Sequence, residues 1–383
     1  MNVPKLRFKE FKDEWITEKV GDSTKILMCK RIFSSDTSDS GEIPFYKIGT
    51  IGSKPDAFIS RELFEQYKNK YNYPRTGEVL ITCSGTVGKC VIFDGKDSYY
   101  QDSNIVWLDN PSKKIINDYL YYYVSNVDWS RLNSTTIVRI YGDNLRNLKI
   151  IYPSNQNEQE KITNTIKLLD KKIELQSKKI EDLKLFKKGL INSIGKNIEI
   201  EKIPLKNILA EQNHKTIKNN EYEILSSTSK GIYLQKDYFN KQAASDNNVG
   251  YKILKKNQLV LSPQNLWMGN ININSKYNIG IVSPSYKIFD INNNIDIDFF
   301  DYWIKSPKAL FEYKISSEQG ASIVRRNLNM DLFYEIKVDI PKGNMQNKLG
   351  KIIKLLNLKI QYNENLLQKL QELKKGLMQN MFV

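Results

Sequence analysis

The 383-residue sequence has one histidine, His214, and three cysteines, Cys29, Cys83 and Cys90. A single imidazole excludes a histidine metal cluster, an H-E-x-x-H helix and a pair of catalytic histidines. Ser-His-Asp or Cys-His chemistry would have to run through His214, whose neighbours Glu211-Gln-Asn-His-Lys-Thr216 read as a polar loop. The cysteines are odd in number and lack C-x-x-C spacing, so free buried thiols are expected and neither disulfides nor a zinc site. No stretch approaches the roughly 18 to 20 uninterrupted apolar residues that span a bilayer. The opening MNVPKLRFKEFKDEW lacks the apolar core of a secretory signal. A soluble, cytoplasmic protein with no membrane partner is the expectation.

Catalytic motifs are missing as well. Ser84-Gly85-Thr86-Val87-Gly88-Lys89 approaches a phosphate loop, but the motif needs Gly at 83 and Ser or Thr at 90, and both are Cys. There is no G-x-G-x-x-G and no Asn/Asp-Pro-Pro-aromatic segment of the amino-methyltransferase kind. Asp331-Leu-Phe-Tyr-Glu335-Ile-Lys337 offers a nuclease-like acid and lysine, yet it reads as an apolar strand. A non-catalytic role without a bound cofactor or metal is expected.

What is present is core material, positive charge and a repeat. The chain is 40% hydrophobic and 11% aromatic, enough for two to three domains. Lys and Arg outnumber Asp and Glu by 58 to 43, a net +15 that favours an anionic partner. Ile166-Lys-Leu-Leu-Asp-Lys-Lys-Ile173 returns as Ile353-Lys-Leu-Leu-Asn-Leu-Lys-Ile360, and Lys187-Lys-Gly-Leu190 as Lys374-Lys-Gly-Leu377, both 187 positions on. Each copy follows a β-like run ending in proline, Leu148 to Pro153 and Ile336 to Pro341. Weaker matches, Asp118 to Ser125 with Asp298 to Lys305 and Glu78 to Thr82 with Gln258 to Ser262, lie 180 apart. The resulting organisation is a first domain over 1–153, a spacer helix over 154–197, a second domain over 198–341 and a C-terminal helix over 342–383. Short β-branched and aromatic runs between Gly, Pro, Asn and Asp turns give each domain a mixed α/β character.

In the first helix a heptad seam runs through Ile162, Ile166, Leu169, Ile173, Gln176, Ile180, Leu183 and Lys187. The second repeats it at Leu349, Ile353, Leu356, Ile360, Asn363, Leu367, Leu370 and Lys374. The polar members coincide, Gln176 with Asn363 and Lys187 with Lys374, as register-setting residues do. The seams pack on each other most simply; packing on their own domains or on a partner's helix are the alternatives. About 36 helical residues span roughly 54 Å, more than the ~34 Å of one DNA turn. The helices also carry most of the excess charge: residues 159–197 hold 10 Lys against 5 acids, and residues 342–383 hold 8 Lys against 2. Domains left nearly neutral would grip DNA weakly alone, so Lys187, Lys188, Lys374 and Lys375 are candidates for partner docking, or form a merely solvated face.

Together, Val3-Pro-Lys-Leu-Arg-Phe8 with Phe11 and Trp15, Gly77-Glu-Val-Leu-Ile81 leading into Ser84 to Gly88, and Pro153 followed by Glu158-Gln159 and Ile162 resemble the specificity subunit of type I restriction-modification systems. The resemblance covers essentially the whole chain, with departures at Trp267-Met268 for Thr86-Val87 and at Met345-Gln346 for Glu158-Gln159. It implies two target-recognition domains of similar fold reading a bipartite double-stranded DNA target, separated by two long antiparallel helices forming a coiled coil. It further implies two methyltransferase subunits docked on those helices, restriction subunits joining that core, and S-adenosylmethionine, ATP and Mg on the partners. A stand-alone DNA-binding or regulatory protein with self-associating helices is the alternative. Base edges are read by Arg, Lys, Asn, Gln, Ser and Thr on loops or helix ends. The candidates are Ser84, Thr86, Lys89, Arg139 and Tyr141 in the first domain, and Gln264, Asn265, Trp267, Arg325 and Arg326 in the second.

Overall fold

The computed structural model describes residues 3–132, 139–194, 198–238, 247–319 and 326–382. The chain divides into two compact units, Met1–Ser177 with Asn365–Val383 and Lys178–Glu364. Each unit joins one globular domain to a segment of each long helix.

The first domain is built on a four-stranded antiparallel sheet in the order Lys25–Leu27, Ile105–Asp109, Val79–Thr82, Cys90–Ile92. Its two central strands, Ile105–Asp109 and Val79–Thr82, read as nearly continuous apolar runs because both of their faces are covered. Val79, Ile81, Val106 and Leu108 enter a core with Tyr119, Tyr152 and Ile162, while Leu80, Ile105 and Trp107 enter a second core with Ile43, Phe64 and Tyr99. The second domain repeats this order with Leu209–Gln212, Lys287–Ile291, Leu259–Leu261 and Ile271–Ile273. Leu259 and Leu261 meet Phe299, Phe300 and Leu349, while Val260 and Ile288 meet Leu225, Leu254 and Val282. The outer layers differ. Ile43–Tyr46 pairs antiparallel with Phe58–Ile59 and parallel with Tyr99–Tyr100; the second domain instead has the hairpin Leu225–Thr228 with Gly231–Leu234, and Lys252–Lys255 paired with Ile279–Val282.

One element departs from expectation. Met330–Glu335, read from sequence as strand, is a helix whose first turn is capped by Asn329, the side-chain oxygen accepting from the Asp331 and Leu332 amides. A good N-cap and one buried aromatic, Phe333, outweigh the β-like composition of so short a segment. The strand begins only at Lys337.

In each unit the strand ending in proline pairs with a strand near the start of the domain: Trp15–Lys19 with Lys149–Pro153, and Ile200–Pro204 with Lys337–Pro341. The long helices, Gln156–Ile194 and Met345–Met381, follow directly. All fourteen residues from Ile162 to Leu183 and from Leu349 to Leu370 assigned to the seam are buried or half-buried. In the first unit Ile162 and Ile166 share a core with Met378, Met381 and Phe382, and Lys374 pairs with Asp170 at 2.5 Å. In the second, Lys187 donates to Asn357 Oδ1 at 2.6 Å, and Lys184 pairs with Glu364 at 2.7 Å. Residue numbers rise on one helix as they fall on the other, so the pair is antiparallel.

The two sequence offsets, 187 in the helices and 180 in the domains, meet in single contacts. Lys374 lies 5.8 Å from the Tyr122 ring and Lys187 lies 5.7 Å from the Tyr302 ring. Lys167 pairs with Asp118 at 2.5 Å, and Lys354 with Asp298 at 2.9 Å. The repeat is therefore a repeat of packing as well as of sequence, and each domain holds both helices through the same side-chain positions.

Candidate nucleic-acid interface

In the first domain the loop Cys83–Lys89 leaves the central strand at Thr82, whose hydroxyl accepts from the Lys89 amide at 3.1 Å and donates to the Thr86 carbonyl. The loop needs two glycines with positive φ, Gly85 and Gly88. A Cβ on Gly88 would stand 2.2 Å from Trp129 Cδ1, so the backbone lies directly on that buried ring. The polar side chains tie the loop down. Ser84 Oγ donates to Asn104 Oδ1 at 2.7 Å, Thr86 Oγ1 donates to the Ile48 carbonyl at 3.1 Å, and the Lys89 ammonium donates to the Ile51 carbonyl at 2.5 Å.

The second predicted cluster joins this loop through one backbone bond, Ile140 N–H to the Cys83 carbonyl at 2.9 Å. It brings Arg139 beside the loop, its guanidinium 5.7 Å from the ring of Tyr141, which is 59% exposed. Burial pushes the Cys83 thiol up to about 11, with the nearby Arg139 charge pulling the other way.

The second domain is arranged alike with different chemistry. From Ser262 to Asn270 the loop forms one turn of helix, Leu266–Met268, closed by Gly269 at φ 84°. Arg326 N–H donates to the Gln264 carbonyl at 3.2 Å, the counterpart of the Ile140 to Cys83 bond. Gln264 is exposed, Asn265 and Trp267 are half-buried, and the Asn265 carbonyl accepts from the Met268 and Asn270 amides. The Arg326 guanidinium is held inward by Ser317, at 2.6 Å to the carbonyl and 3.0 Å to Oγ. Arg325 lies outside the described residues.

The described candidates of each domain thus lie close together, but several of their polar groups bind the protein itself. Sequence reasoning missed the groups that receive them: Ile48, Ile51, Asn104 and Ser317. The glycine-rich run Ile48-Gly-Thr-Ile-Gly-Ser53 was the available signal for a second turn at this surface.

On the helices, Lys187 and Lys374 face the opposite helix as described, and burial holds the Lys187 ammonium below its usual range. Lys188 and Lys375 are exposed at equivalent positions. Away from the seam each unit also exposes a matched apolar triple: Leu168 at 64%, Leu175 at 57% and Leu373 at 52% in the first, Leu355 at 66%, Tyr362 at 69% and Phe186 at 60% in the second. Leu168 and Leu175 are seven residues apart, two helical turns, and share one face; Leu355 and Tyr362 do the same.

Among the described residues no cluster of His, Cys, Asp or Glu could hold a metal ion, and no helix is long and apolar enough to cross a membrane. Residues 12–185 match the family model of the type I restriction modification DNA specificity domain. By this match the first domain and most of the first long helix are similar to the type I restriction modification DNA specificity domain. A putative type I restriction enzyme specificity subunit of Haemophilus influenzae is 51% identical over 153 residues, which are 40% of this chain and 39% of that relative. By structure, the chain is similar to the type I restriction-modification S subunit of M. genitalium, with TM-score 0.64 at 18% identity over 100% of this chain and 99% of that one. It is also similar to a chain from a study of complex assembly and conformational transition of the type I R-M system, with TM-score 0.52 at 10% identity over 96% and 98% of the two chains. These two likenesses concern the fold.

The residue pairs Glu158-Gln159 and Met345-Gln346 at the two helix starts have a structural reason. Gln159 accepts from the Ile116 amide at 2.8 Å and donates to the Lys114 carbonyl at 3.0 Å. Gln346 does the same with the Asp296 amide at 3.0 Å and the Asn294 carbonyl at 2.9 Å. Glu158, fully buried, is held by Arg7 through two bonds of 2.8 and 2.9 Å. Its counterpart Met345 is apolar. The departure at Met345-Gln346 removes an ion pair and leaves the glutamine bracket intact.

Proposed function

We propose that this chain is the non-catalytic DNA-specificity subunit of a type I restriction-modification complex. Its two domains read the two halves of a split double-stranded target, with unread base pairs between them. Its antiparallel helices dock two methyltransferase subunits, and restriction subunits join that core. S-adenosylmethionine, ATP and Mg are used by those partners, and the complex works in the cytoplasm.

The observation that carries this reading is the doubled packing: the same sheet order, the same glutamine bracket and the same lysine-on-tyrosine contact occur in both units, while the loops at the candidate surfaces differ in chemistry. Equal frames with unequal loops suit two different half-sites. Matched frames also suit two copies of one partner. The exposed triples Leu168, Leu175, Leu373 and Leu355, Tyr362, Phe186 are equivalent faces, and apolar surface of this kind favours burial in an interface. Lys188 and Lys375 supply charge at equivalent positions near those helices. For base reading we propose Ser84, Lys89, Arg139 and Tyr141, with Thr86 shaping their loop, as the first surface and Gln264, Asn265, Trp267, Arg325 and Arg326 as the second. Side-chain hydrogen bonds within the protein hold Ser84, Thr86, Lys89 and Arg326 in place, which suits preorganised recognition.

The test is co-expression with the methyltransferase subunit encoded beside it, followed by single-molecule mapping of methylated adenines. A split motif that disappears when this chain is omitted is the expected result. Methylation at the same sites without the chain, or none despite a stable complex, would overturn the assignment.

A further inference from the structure

Each candidate reading loop is clipped to a second turn that lies just beyond a strand of the outer layer. In the first domain this is the turn from Lys47 to Lys54, after Ile43–Tyr46. Thr86 Oγ1 and the Lys89 ammonium both bind its carbonyls, and Gly85 approaches it so closely that a Cβ would stand 2.8 Å from Ile48 Cδ1. In the second domain the hairpin turn after Leu225–Thr228 has the corresponding place. Ser227 Oγ donates to Asn270 Oδ1 at 2.8 Å, Asn270 Nδ2 donates to the Ser227 carbonyl at 3.0 Å, and Asn272 Nδ2 donates to Ser227 Oγ and the Thr228 carbonyl, both at 2.8 Å. These three side chains are at most 8% exposed.

The repeat has kept the clip while replacing its chemistry: a threonine hydroxyl and a lysine in one copy, two asparagine amides in the other. Held from both sides, loop and turn form one two-part surface; the clip is buried in the second domain, whereas Thr86 and Lys89 are exposed in the first. Each turn also presents one exposed lysine, Lys54 and Lys230, neither of which forms an ion pair among the described residues. By contrast, Lys47 pairs with Asp56, Lys89 binds Ile51 and the Arg326 guanidinium is held by Ser317.

We infer that each domain contacts its half-site with two clipped segments, in which Thr86 and the Asn270–Asn272 pair are positioning residues and Lys54 and Lys230 are contacts to DNA phosphates. The inference rests on the proposed DNA-specificity role. A phosphate contact on the turn fixes the register in which the neighbouring loop meets the bases, without itself carrying sequence information.

The experiment uses the complete chain reconstituted with its methyltransferase subunit, once the wild-type complex has been shown to methylate a split motif; absence of any motif would count against the functional reading and not against this inference. Lys54→Ala and Lys230→Ala are expected to weaken binding to cognate and non-cognate DNA by a similar factor and to lower the slope of log affinity against log salt by about one, with the methylated motif unchanged. Thr86→Val is expected to reduce discrimination against single-base changes about tenfold in one half-site only, with Thr86→Ser restoring it and the melting temperature of both variants close to wild type. Unchanged affinity and salt slope in both lysine variants, or an altered motif, would overturn the phosphate assignment. Thr86→Val with wild-type discrimination, or an equal loss in both half-sites, would overturn the clip.

Discussion

Removing Arg7 should destabilise the first unit far more than removing its partner Glu158. The carboxylate has no exposed side-chain surface, whereas the guanidinium is 19% exposed and also donates to the Asp13 carbonyl at 2.6 Å. Arg7→Ala leaves a buried carboxylate without its counter-ion, a loss of about 3 to 5 kcal/mol for pairs of this kind. For a unit of this size each kcal/mol is worth about 2 to 4 °C, so the transition should fall by roughly 10 °C. Glu158→Met copies Met345 of the second helix, and Arg7 can turn to water, so the expected cost is about 1 kcal/mol. The double variant Arg7→Leu/Glu158→Met should come within about 1 kcal/mol of wild type, because an apolar pair often replaces a buried ion pair without loss. The assay is calorimetry of the full chain, with amide exchange at the start of the first helix assigning the transition. A loss below about 1 kcal/mol for Arg7→Ala, or a double variant as unstable as Arg7→Ala alone, would refute the reasoning.

Two neighbouring leucines separate seam from docking face. Leu169 is 8% exposed and Leu168 is 64% exposed, so Leu169→Asp should unfold the helix pair, while Leu168→Asp should leave stability within about 0.5 kcal/mol and abolish co-purification of the methyltransferase subunit; the reverse pattern would refute both assignments. Burial pushes the thiols of Cys29 and Cys90 up to about 12 and that of Cys83 up to about 11. At pH 8 the reactive thiolate is then scarce, so a thiol reagent should label none of the three until denaturant is added, and rapid labelling of any one in the folded chain would contradict this environment.

Much of the frame was legible because it is periodic. The 187-residue repeat, the seam and its paired polar positions are visible along the chain, since a helix places residues three and four apart on one face whatever surrounds it. The same logic failed at Met330–Glu335, where six residues are too few for a period and one capping asparagine decided the matter. The 180-residue offset was legible only in outline, because the two outer layers have been rebuilt around a shared sheet. Candidate surface residues were chosen by type on expected loops, and only the backbone bond from Ile140 to Cys83 shows why the two segments of the first domain lie together.

What the residues by themselves determined is the duplication, the heptad seam and the single histidine, properties of local spacing and composition. Only the tertiary structure decided that the helices run antiparallel, since a heptad seam is compatible with either direction. It alone showed that Lys187 and Lys374 turn onto tyrosines, that the Arg326 guanidinium is held by Ser317, and that Thr86 reaches Ile48 across 38 positions of chain. Whether a polar side chain faces solvent or a carbonyl depends on neighbours brought together from distant segments, and no pattern within a single segment records them.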